Sequence, residues 1–183
     1  MNMNIVCTID ESYVQHCAVT LKSLYQHNST AELNIFILNN GLSRKNYKKL
    51  YSFLSDFSQN VSFIEVNESL LNKCPISHHI SLATYFRLFI PEVIPKKINK
   101  VLFLDSDIVI RKNITNFWMT AITNYSHAAV EAPCSQKDKE RLTILDSYPY
   151  FNAGVLLINL EFWRQHDIFQ KGLKYISDNI EKI

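Results

Sequence analysis

The chain has 183 residues, of which 47% are hydrophobic, which is enough for the core of one compact domain and too little for two ordinary ones. Its 19 basic and 17 acidic residues give a formal net charge of +2, so the overall charge gives no reason to expect nucleic acid as a partner. The first ten residues lack the charged and apolar regions of a secretory signal, and no later apolar run is long enough to cross a bilayer, so we expect a cytoplasmic protein.

The spacing of the cysteines and the local clusters of charge further limit the classes of protein to which the chain could belong. The four cysteines, Cys7, Cys17, Cys74 and Cys134, form no C-x-x-C pair, which argues against a zinc knuckle or a thioredoxin-type motif and favours reduced, mostly buried thiols. Basic clusters lie at residues 44–49 and 96–100. Either could contact anionic lipid or phosphate, but a solvated helix face and a charged loop are the commoner explanations.

In chain order, short apolar runs rich in β-branched residues alternate with segments of helical period. This pattern predicts an α/β domain with a mostly parallel sheet and flanking helices. In the first half of the chain we predict strands at residues 4–9, 33–39 and 61–66. A helix at about residues 13–27 follows the first strand, and Ser43 is the predicted N-cap of the next helix.

The second half continues the alternation. Residues 81–95, SLATYFRLFIPEVIP, have apolar positions at mixed helical spacing and predict a helix that stops just before the strand VLFL at residues 101–104. Further strands are predicted at residues 127–132 and 151–160, with a final helix from Glu161 to the C-terminus. Only three glycines are present, and they form neither a G-x-G-x-x-G motif nor a Walker loop.

The stretch KVLFLDSDIVI, residues 100–110, inserts two carboxylates between apolar runs. Residues i and i+2 of an extended chain point to the same side, so Asp105 and Asp107 can converge while Ser106 faces the other way. Two unpaired buried carboxylates are costly, and a divalent cation with hard oxygen ligands removes that cost. The carboxyl end of a strand in an open α/β sheet is also where ligands bind, so the stretch indicates metal and phosphate chemistry.

Two other interpretations remain open at this point. The stretch could be a solvated turn at a strand end. It is also found in haloacid-dehalogenase-like phosphotransferases, in which the first Asp is a nucleophile and the second a general acid. That fold puts the motif on its first strand and needs a downstream Lys and an acidic pair, whereas here three strands precede it and Asp138 and Asp146 stand apart.

Four ordered motifs carry a family resemblance over essentially the whole chain. They are NIVCTIDESYVQHCAVTLKSL, HHISLATYFRLFIPE, KVLFLDSDIVI and YFNAGVLLINLEFWRQHDIF. Their order and spacing resemble the retaining glycosyltransferases of family 8, especially bacterial lipopolysaccharide α-galactosyl- and α-glucosyltransferases, with the glycogenins as distant relatives. The resemblance implies a GT-A fold, a Rossmann-like nucleotide-sugar-binding domain, over residues 1–183.

The resemblance assigns the nucleotide to the loop after the first strand. Asp10 matches the acidic residue that binds the uracil edge, and Tyr13 matches a ring that stacks on the base. Thr8 and Ile9 would offer backbone groups. Ser12 stands where close relatives often have Asn, so one contact to ribose or uracil would be weaker here. An N-cap role for Asp10 is compatible with this assignment.

The donor sugar and the metal are assigned in the same way. Arg87 matches an arginine that reaches the diphosphate and the donor sugar, although a surface salt bridge is the alternative. Asp105 and Asp107 match the family's metal-binding aspartates, which take Mn²⁺ or Mg²⁺, and Ser106 lies between them in the nucleotide-sugar site. Asn152 and Ala153 match the donor-sugar contacts of the F-N-A-G strand. Glu131 falls near a carboxylate that helps to hold the donor sugar, so Asn152 and Glu131 are the expected catalytic pair.

The resemblance implies transfer of galactose or glucose from a UDP-sugar, with retention, to a glycan acceptor of the lipopolysaccharide or lipooligosaccharide kind. It also implies peripheral contact with the inner membrane. A UDP-sugar-binding or assembly module without turnover is the competing hypothesis. The sequence leaves the oligomeric state open.

One part of the family pattern is absent from the sequence. Family members continue into an acidic D-Q-D segment and a His-x-x-Gly-x-x-Lys-Pro-Trp motif, whose His is the third metal ligand, and His78, His79 and His166 do not align with that His. We therefore expect a C-terminally truncated domain with weaker metal binding and poor activity on its own. An uncovered edge could also drive self-association.

Overall fold

The computed structural model describes residues 1–57, 60–72, 74–76 and 81–182, so His78 and His79 lie outside the described residues. The described residues form a six-stranded sheet with helices on both faces. Its strands are β1 (Asn2–Thr8), β2 (Glu32–Asn39), β3 (Asn60–Glu65), β4 (Lys100–Leu104), β5 (His127–Glu131) and β6 (Phe151–Asn159). Every predicted strand is present, with its ends shifted by about two residues or fewer.

The strand order is β3-β2-β1-β4-β6-β5. β1 pairs in parallel with β2 and β4, and β2 pairs in parallel with β3, as expected for an α/β domain. β6 runs antiparallel to both β4 and β5, so the sheet is mixed. Because β6 is reversed, its first residues lie at the edge of the sheet where β1 and β4 end.

Both faces of the sheet are buried, which explains why the central strands are apolar almost throughout. Ile5 and Cys7 of β1 belong to a core that includes residues of helices α1 (Val14–His27) and α2 (Arg44–Ser55). Val6, between them, belongs to a second core on the opposite face. That face is covered by the helices α3 (Leu82–Tyr85), α4 (Ile90–Val93), α7 (Leu160–Gln165) and α8 (Ile168–Asp178).

The two long N-terminal helices begin close to where the sequence predicts. The hydroxyl of Ser43 accepts a hydrogen bond from the backbone N–H of Asn46 at 3.2 Å, which confirms Ser43 as the N-cap of α2. α1 begins at Val14 and ends at His27.

The single helix predicted over residues 81–95 is wrong. The segment forms three successive turns, α3, a 3₁₀ turn at Phe86–Phe89, and α4. The last turn ends at Val93 because Ile94 precedes Pro95 and takes an extended conformation, with φ −76° and ψ 135°.

The single C-terminal helix is wrong as well. α7 and α8 are separated at Asp167, whose φ of +50° lies in the left-handed region that a short polar side chain tolerates better than most. A 3₁₀ turn at Ile180–Lys182 follows α8. Two short helices, α5 (Thr115–Trp118) and α6 (Gln136–Arg141), were not predicted.

All four cysteines are free, as expected; Cys7 and Cys17 are buried, whereas Cys74 and Cys134 are only partly buried. A hydrogen bond with Cys17, together with burial, raises the pKa of the Cys7 thiol well above its ordinary value, so this thiol stays protonated.

Within the part of the chain that the structure describes, no helix combines the length and the apolar character that crossing a bilayer requires.

Candidate active site

The D-S-D and F-N-A-G motifs meet at one edge of the sheet. Asp105 follows the last residue of β4, and its backbone N–H donates a 2.7 Å hydrogen bond to the carbonyl of Gly154 in β6. The side-chain oxygen of Asn152 accepts a bond from the N–H of Gly154 at 2.8 Å. The reversed direction of β6 therefore joins two motifs that lie about 50 residues apart in the sequence.

A cleft of about 560 Å³ opens at this edge. This volume lies within the range of sites that bind small molecules. Its lining comprises Thr8, Tyr13, Ile76, Ser81, Ala83, Thr84, Arg87, Asp105, Ser106 and Asp107. Six of the predicted site residues thus share one cavity: Thr8, Tyr13, Arg87, Asp105, Ser106 and Asp107.

Arg87 ties three parts of the cleft together. Its Nε donates to the carbonyl of Thr84 at 2.9 Å, its Nη1 to the carbonyl of Ala153 at 2.8 Å, and its Nη2 to Oδ1 of Asp105 at 3.2 Å. The guanidinium carbon also lies 4.8 Å from the centre of the Phe103 ring. Arg87 is therefore not a surface salt bridge but a largely buried fork that orients Asp105 and the start of β6.

The electrostatics at Asp105 favour an additional cation. Burial raises the pKa of the Asp105 carboxyl, the nearby Arg87 lowers it, and Asp107 raises it again. Burial also lowers the pKa of the Arg87 guanidinium, an effect that Asp105 partly reverses. In the part of the chain that the structure describes, Arg87 forms an ion pair with Asp105 alone, and Asp107 adds a second negative charge nearby.

The residues of the β1–α1 loop are held by backbone contacts. Oδ1 of Asp10 accepts hydrogen bonds from the N–H groups of Ser12 at 2.8 Å and Tyr13 at 3.2 Å, so it stabilises the turn that precedes α1. The N-cap of α1 is Tyr13 and not Asp10. The N–H of Ile9 donates to the carbonyl of Leu38 at 2.9 Å and is already engaged in the sheet. Tyr13 is 39% exposed and lines the cleft, and its ring lies 5.1 Å from that of His16.

Ser106 and Asp107 form a turn directly after β4, so residues 105–107 do not continue the extended chain that the sequence predicts, and all three line the cleft. The buried hydroxyl of Ser106 donates to the carbonyl of Thr8 at 2.8 Å. The end of β4, which carries the two carboxylates, is therefore fastened to the end of β1 and the loop that follows it.

The remaining predicted residues lie beside the cleft. The carbonyl of Ala153 accepts a hydrogen bond from Arg87, which lines the cleft. The side chain of Asn152 accepts a hydrogen bond from Gly154, whose carbonyl in turn bonds Asp105. Glu131 ends β5 and pairs with Phe151, which puts it on the strand next to Asn152, and its side chain is exposed. Asp10, Ser12, Ile9 and Glu131 are not among the residues that line the cavity.

Sequence reasoning missed Thr84 and Gly154. Thr84 precedes Arg87 by three residues, and that helical spacing could have indicated the contact from its carbonyl to Nε of Arg87. A β-carbon at Gly154 would lie 2.7 Å from Oδ2 of Asp105 and 3.1 Å from Oδ1 of Asn152, so any other residue there would displace the Asp105 carboxylate.

The side chains present fit a divalent cation in part. Asp105 and Asp107 offer hard carboxylate oxygens at the cleft, which suits Mg²⁺ or Mn²⁺ when phosphate oxygens and water complete the shell. No third His, Cys, Asp or Glu joins them among the described residues.

Comparison with known proteins identifies the family. The model of the family described as "Glycosyl transferase family 8" matches residues 4–183. The chain belongs to glycosyl transferase family 8. The expected GT-A fold is confirmed by a crystal structure of the galactosyltransferase LgtC in complex with donor and acceptor sugar analogues, to which the chain is 32% identical with a TM-score of 0.92.

That alignment covers 99% of this chain and 66% of LgtC. General stress protein A of Bacillus subtilis is 27% identical over 97% of this chain and 63% of its own length. The lipopolysaccharide 1,3-galactosyltransferase of Salmonella typhimurium is 23% identical over 96% of this chain and 53% of its own length. The chain thus spans about half to two thirds of the length of these family 8 relatives.

Proposed function

We propose that this chain binds a UDP-hexose and contributes to the transfer of its galactose or glucose, with retention, to a glycan acceptor of the lipopolysaccharide or lipooligosaccharide kind. The observation that carries the proposal is the contact of Arg87 with Asp105 and with Ala153. In a family 8 chain, Arg87 is the cation suited to bind a diphosphate, and Asp105 is a carboxylate suited to bind the metal. The contact holds both groups next to Ala153, on the strand expected to bind the donor sugar.

Each group has a distinct role in the proposed reaction. Asp105 and Asp107 would hold Mn²⁺ or Mg²⁺, which when bound supplies Lewis-acid stabilisation of the departing UDP. Arg87 retains unused N–H donors for diphosphate oxygens after its three protein contacts, since a guanidinium has five. The exposed Tyr13 ring would stack on uracil, and Asn152 and Glu131 would orient the hexose. Oδ1 of Asp10 already accepts hydrogen bonds from the N–H groups of Ser12 and Tyr13, so Asp10 would have to give up part of this bonding to bind the uracil edge.

The acceptor and the site of action follow from relatives. One relative is named a lipopolysaccharide galactosyltransferase, and lipopolysaccharide precursors are membrane-bound, so we propose a cytoplasmic protein in peripheral contact with the membrane.

A second candidate is a UDP-sugar-binding module without turnover of its own. It is favoured by the metal site, where only two carboxylates converge among the described residues. Both candidates predict donor binding, and only transfer to an acceptor separates them.

Isothermal titration calorimetry of UDP, UDP-galactose and UDP-glucose, with Mn²⁺ and with a chelator, tests the shared step. We expect Mn²⁺-dependent binding that Asp105→Asn or Asp107→Asn weakens by at least about tenfold, which corresponds to about 1.4 kcal/mol. Asp56→Asn is the control, since Asp56 is exposed at the far end of α2. Absence of UDP binding with Mn²⁺, or equal loss in the control, would refute the proposal.

Turnover is tested with the same protein, UDP-[¹⁴C]galactose or UDP-[¹⁴C]glucose, and a panel of lipopolysaccharide and lipooligosaccharide acceptors. Label in the acceptor supports the transferase, and donor binding without label in any acceptor supports the binding module.

A further inference from the structure

The outer surface of α2 concentrates positive charge. Over its twelve residues, Arg44–Ser55, the helix has four basic side chains and no acidic one. The basic residues are Arg44, Lys45, Lys48 and Lys49, and all are exposed. The whole chain has a formal net charge of only +2, so this density is local and does not reflect a generally basic protein.

Aromatic rings flank these cations on the same exposed surface. Tyr47 and Tyr51 are 41% and 49% exposed, and their rings stack at 6.0 Å. Phe63 of the edge strand β3 adjoins both rings, with centroids 4.6 Å and 6.5 Å away. Phe53, on the opposite flank of the helix, is 38% exposed. Together with the four basic residues, Tyr47, Tyr51 and Phe63 make up what we call the α2 face.

The helix is amphipathic in an unusual way. Its inner side is anchored by the buried Leu50 and Leu54, so the helix itself is firmly part of the fold. A solvated helix face would carry both signs of charge and few rings, whereas this one carries a single sign and an aromatic cluster. Exposed Tyr rings beside Lys and Arg, packed here on the partly buried Phe63, are typical of a surface that lies at the boundary between lipid headgroups and acyl chains.

We propose that the α2 face docks onto an anionic lipid bilayer. Four basic residues on an amphipathic helix meet the charge that anionic headgroups require. The phenol rings have an apolar body and a polar tip, which suits the depth of the interface. Cations and aromatic rings also occur together on surfaces that bind single-stranded nucleic acid, so nucleic-acid binding is treated below as an outcome of the test.

The docking surface is fixed to the edge of the sheet that carries the cleft. Glu11, in the β1–α1 loop, accepts hydrogen bonds from the N–H of Ser43 at 3.1 Å and from the side-chain amide of Asn46 at 2.9 Å. The N-terminus of α2 is therefore bonded to the loop that carries Asp10 and Tyr13. If the chain acts in glycosyl transfer as proposed above, this contact would hold the cleft at the level of membrane-borne acceptors; the docking itself does not depend on that activity.

The second basic cluster provides a matched control. Lys96 and Lys97 are exposed, as the α2 cations are, but residues 94–100 contain no aromatic side chain. The third member, Lys100, is turned inward, with its Nζ 4.8 Å from the Trp118 ring and 2.8 Å from the Trp118 carbonyl oxygen. Neutralising Lys96 and Lys97 therefore removes the same charge from a surface without rings.

The test is co-sedimentation of the 183-residue chain with vesicles of phosphatidylcholine, with and without phosphatidylglycerol, at low and high salt. We expect binding only to the anionic vesicles, weakened by salt. Each basic residue near an anionic surface contributes about fivefold to the partition coefficient, so Lys45→Gln/Lys48→Gln should lower it by about 25-fold. Lys96→Gln/Lys97→Gln should leave it within about twofold of the wild type. Thermal unfolding of each variant verifies that the fold is retained.

A third variant tests the contribution of the rings. Tyr47→Ser/Tyr51→Ser keeps every charge, and we expect at least about a threefold loss of vesicle binding from the apolar area that no longer enters the interface. Vesicle binding that is unchanged by the tyrosine substitutions, or lost equally with the Lys96 and Lys97 substitutions, would overturn the proposal. So would a chain that stays in the supernatant with anionic vesicles, whether or not it binds heparin or duplex DNA.

Discussion

Gly154 and Asp105 are so close that a side chain at position 154 would force the Asp105 carboxylate or the start of β6 to move. The carbonyl of Gly154 accepts the 2.7 Å hydrogen bond from the N–H of Asp105, and a β-carbon added to Gly154 would lie 2.7 Å from Oδ2 of the same residue. The position of the carboxylate thus depends on the absence of a single methyl group.

Gly154→Ala should therefore impair the site more than the fold. The added methyl group must displace the Asp105 carboxylate or the start of β6, at a cost of about 1–3 kcal/mol in the free energy of unfolding. Because Arg87 holds both segments, we expect Mn²⁺-dependent UDP affinity to fall by more than about tenfold, measured by calorimetry, which corresponds to over 1.4 kcal/mol.

Gly172→Ala is the control for this prediction. A β-carbon there would meet Cδ2 of Leu88 at 2.8 Å, but that atom is the end of a flexible side chain and lies on α8's side of the sheet. Gly172→Ala should leave UDP affinity unchanged. Equal affinity in the two variants would contradict the proposed link between Gly154 and Asp105.

The pair of Arg87 and Asp105 should couple energetically. Arg87→Met removes three hydrogen bonds from a charged donor and leaves the Asp105 carboxylate without its partner, so we expect a loss of about 2–3 kcal/mol in unfolding free energy. In the double variant with Asp105→Asn, the loss should be smaller than the sum of the single losses by about 1 kcal/mol, measured by urea unfolding. Additive losses would mean that the 3.2 Å contact contributes no stability.

Much of the fold follows from local sequence pattern. β1 and β2 are covered on both faces, so their apolar residues form near-continuous runs that are recognisable without any alignment. The N-cap at Ser43 is equally local, since it depends on one hydroxyl and an N–H three residues later. The direction of β6 is not local: its apolar residues fit a parallel or an antiparallel neighbour, and only the chain's path brings Asn152 to the ends of β1 and β4.

The apolar run after Asp107 shows what else local pattern cannot reveal. Residues 108–110 are as apolar as β4, yet the strand stops at Leu104. The carbonyl of Ile108 accepts from Oγ1 of Thr20 at 2.7 Å, and the N–H of Ile110 donates to Oγ of Ser23 at 2.9 Å. Polar residues on the inner side of α1 thus replace a neighbouring strand as hydrogen-bond partners. Thr20 and Ser23, three residues apart among apolar neighbours, were the available signal.

Some contacts in the cleft could be predicted from the local sequence, and others could not because they depend on tertiary packing. The sequence indicates that Asp105 and Asp107 lie together at the end of a strand, and both line the cleft, although a turn at residues 106 and 107 brings them there rather than the alternation of an extended chain. It does not indicate that Arg87 reaches Asp105 directly, since that contact depends on how the turns α3 and α4 pack on the sheet.

Arg164 should contribute to stability without affecting the cleft. Its guanidinium donates to the carbonyls of Pro91 at 3.0 Å, Ile94 at 2.9 Å and Ile98 at 2.9 Å, and so holds α7 against the connection from α4 to β4. Arg164→Met should lower the free energy of unfolding by about 2 kcal/mol, and Arg164→Lys by about half as much, because an ammonium cannot reach all three oxygens.

Urea unfolding measures both variants, with Arg111→Met as the control because Arg111 is exposed. UDP affinity should remain at the wild-type value in all three. A weakened UDP affinity in Arg164→Met would show that the carbonyl contacts also support the cleft.

His127 should make the stability of the fold sensitive to mild acid. Burial lowers the pKa of this imidazole below its ordinary value of about 6.5, and its Nδ1 lies 2.7 Å from the hydroxyl of Ser126 with its ring 4.6 Å from that of Phe151. The unfolded chain therefore takes up the proton at a higher pH than the folded chain does. His127 contributes its full share of stability above about pH 6.5, and that share is lost as the pH falls from there through the lower pKa of the folded state.

Urea unfolding from pH 8 to pH 5 should show a shallower loss of unfolding free energy in His127→Gln than in the wild type. His16→Gln, which replaces an exposed histidine on α1, should follow the wild-type profile. Identical profiles for His127→Gln and the wild type would mean that another group causes the acid sensitivity.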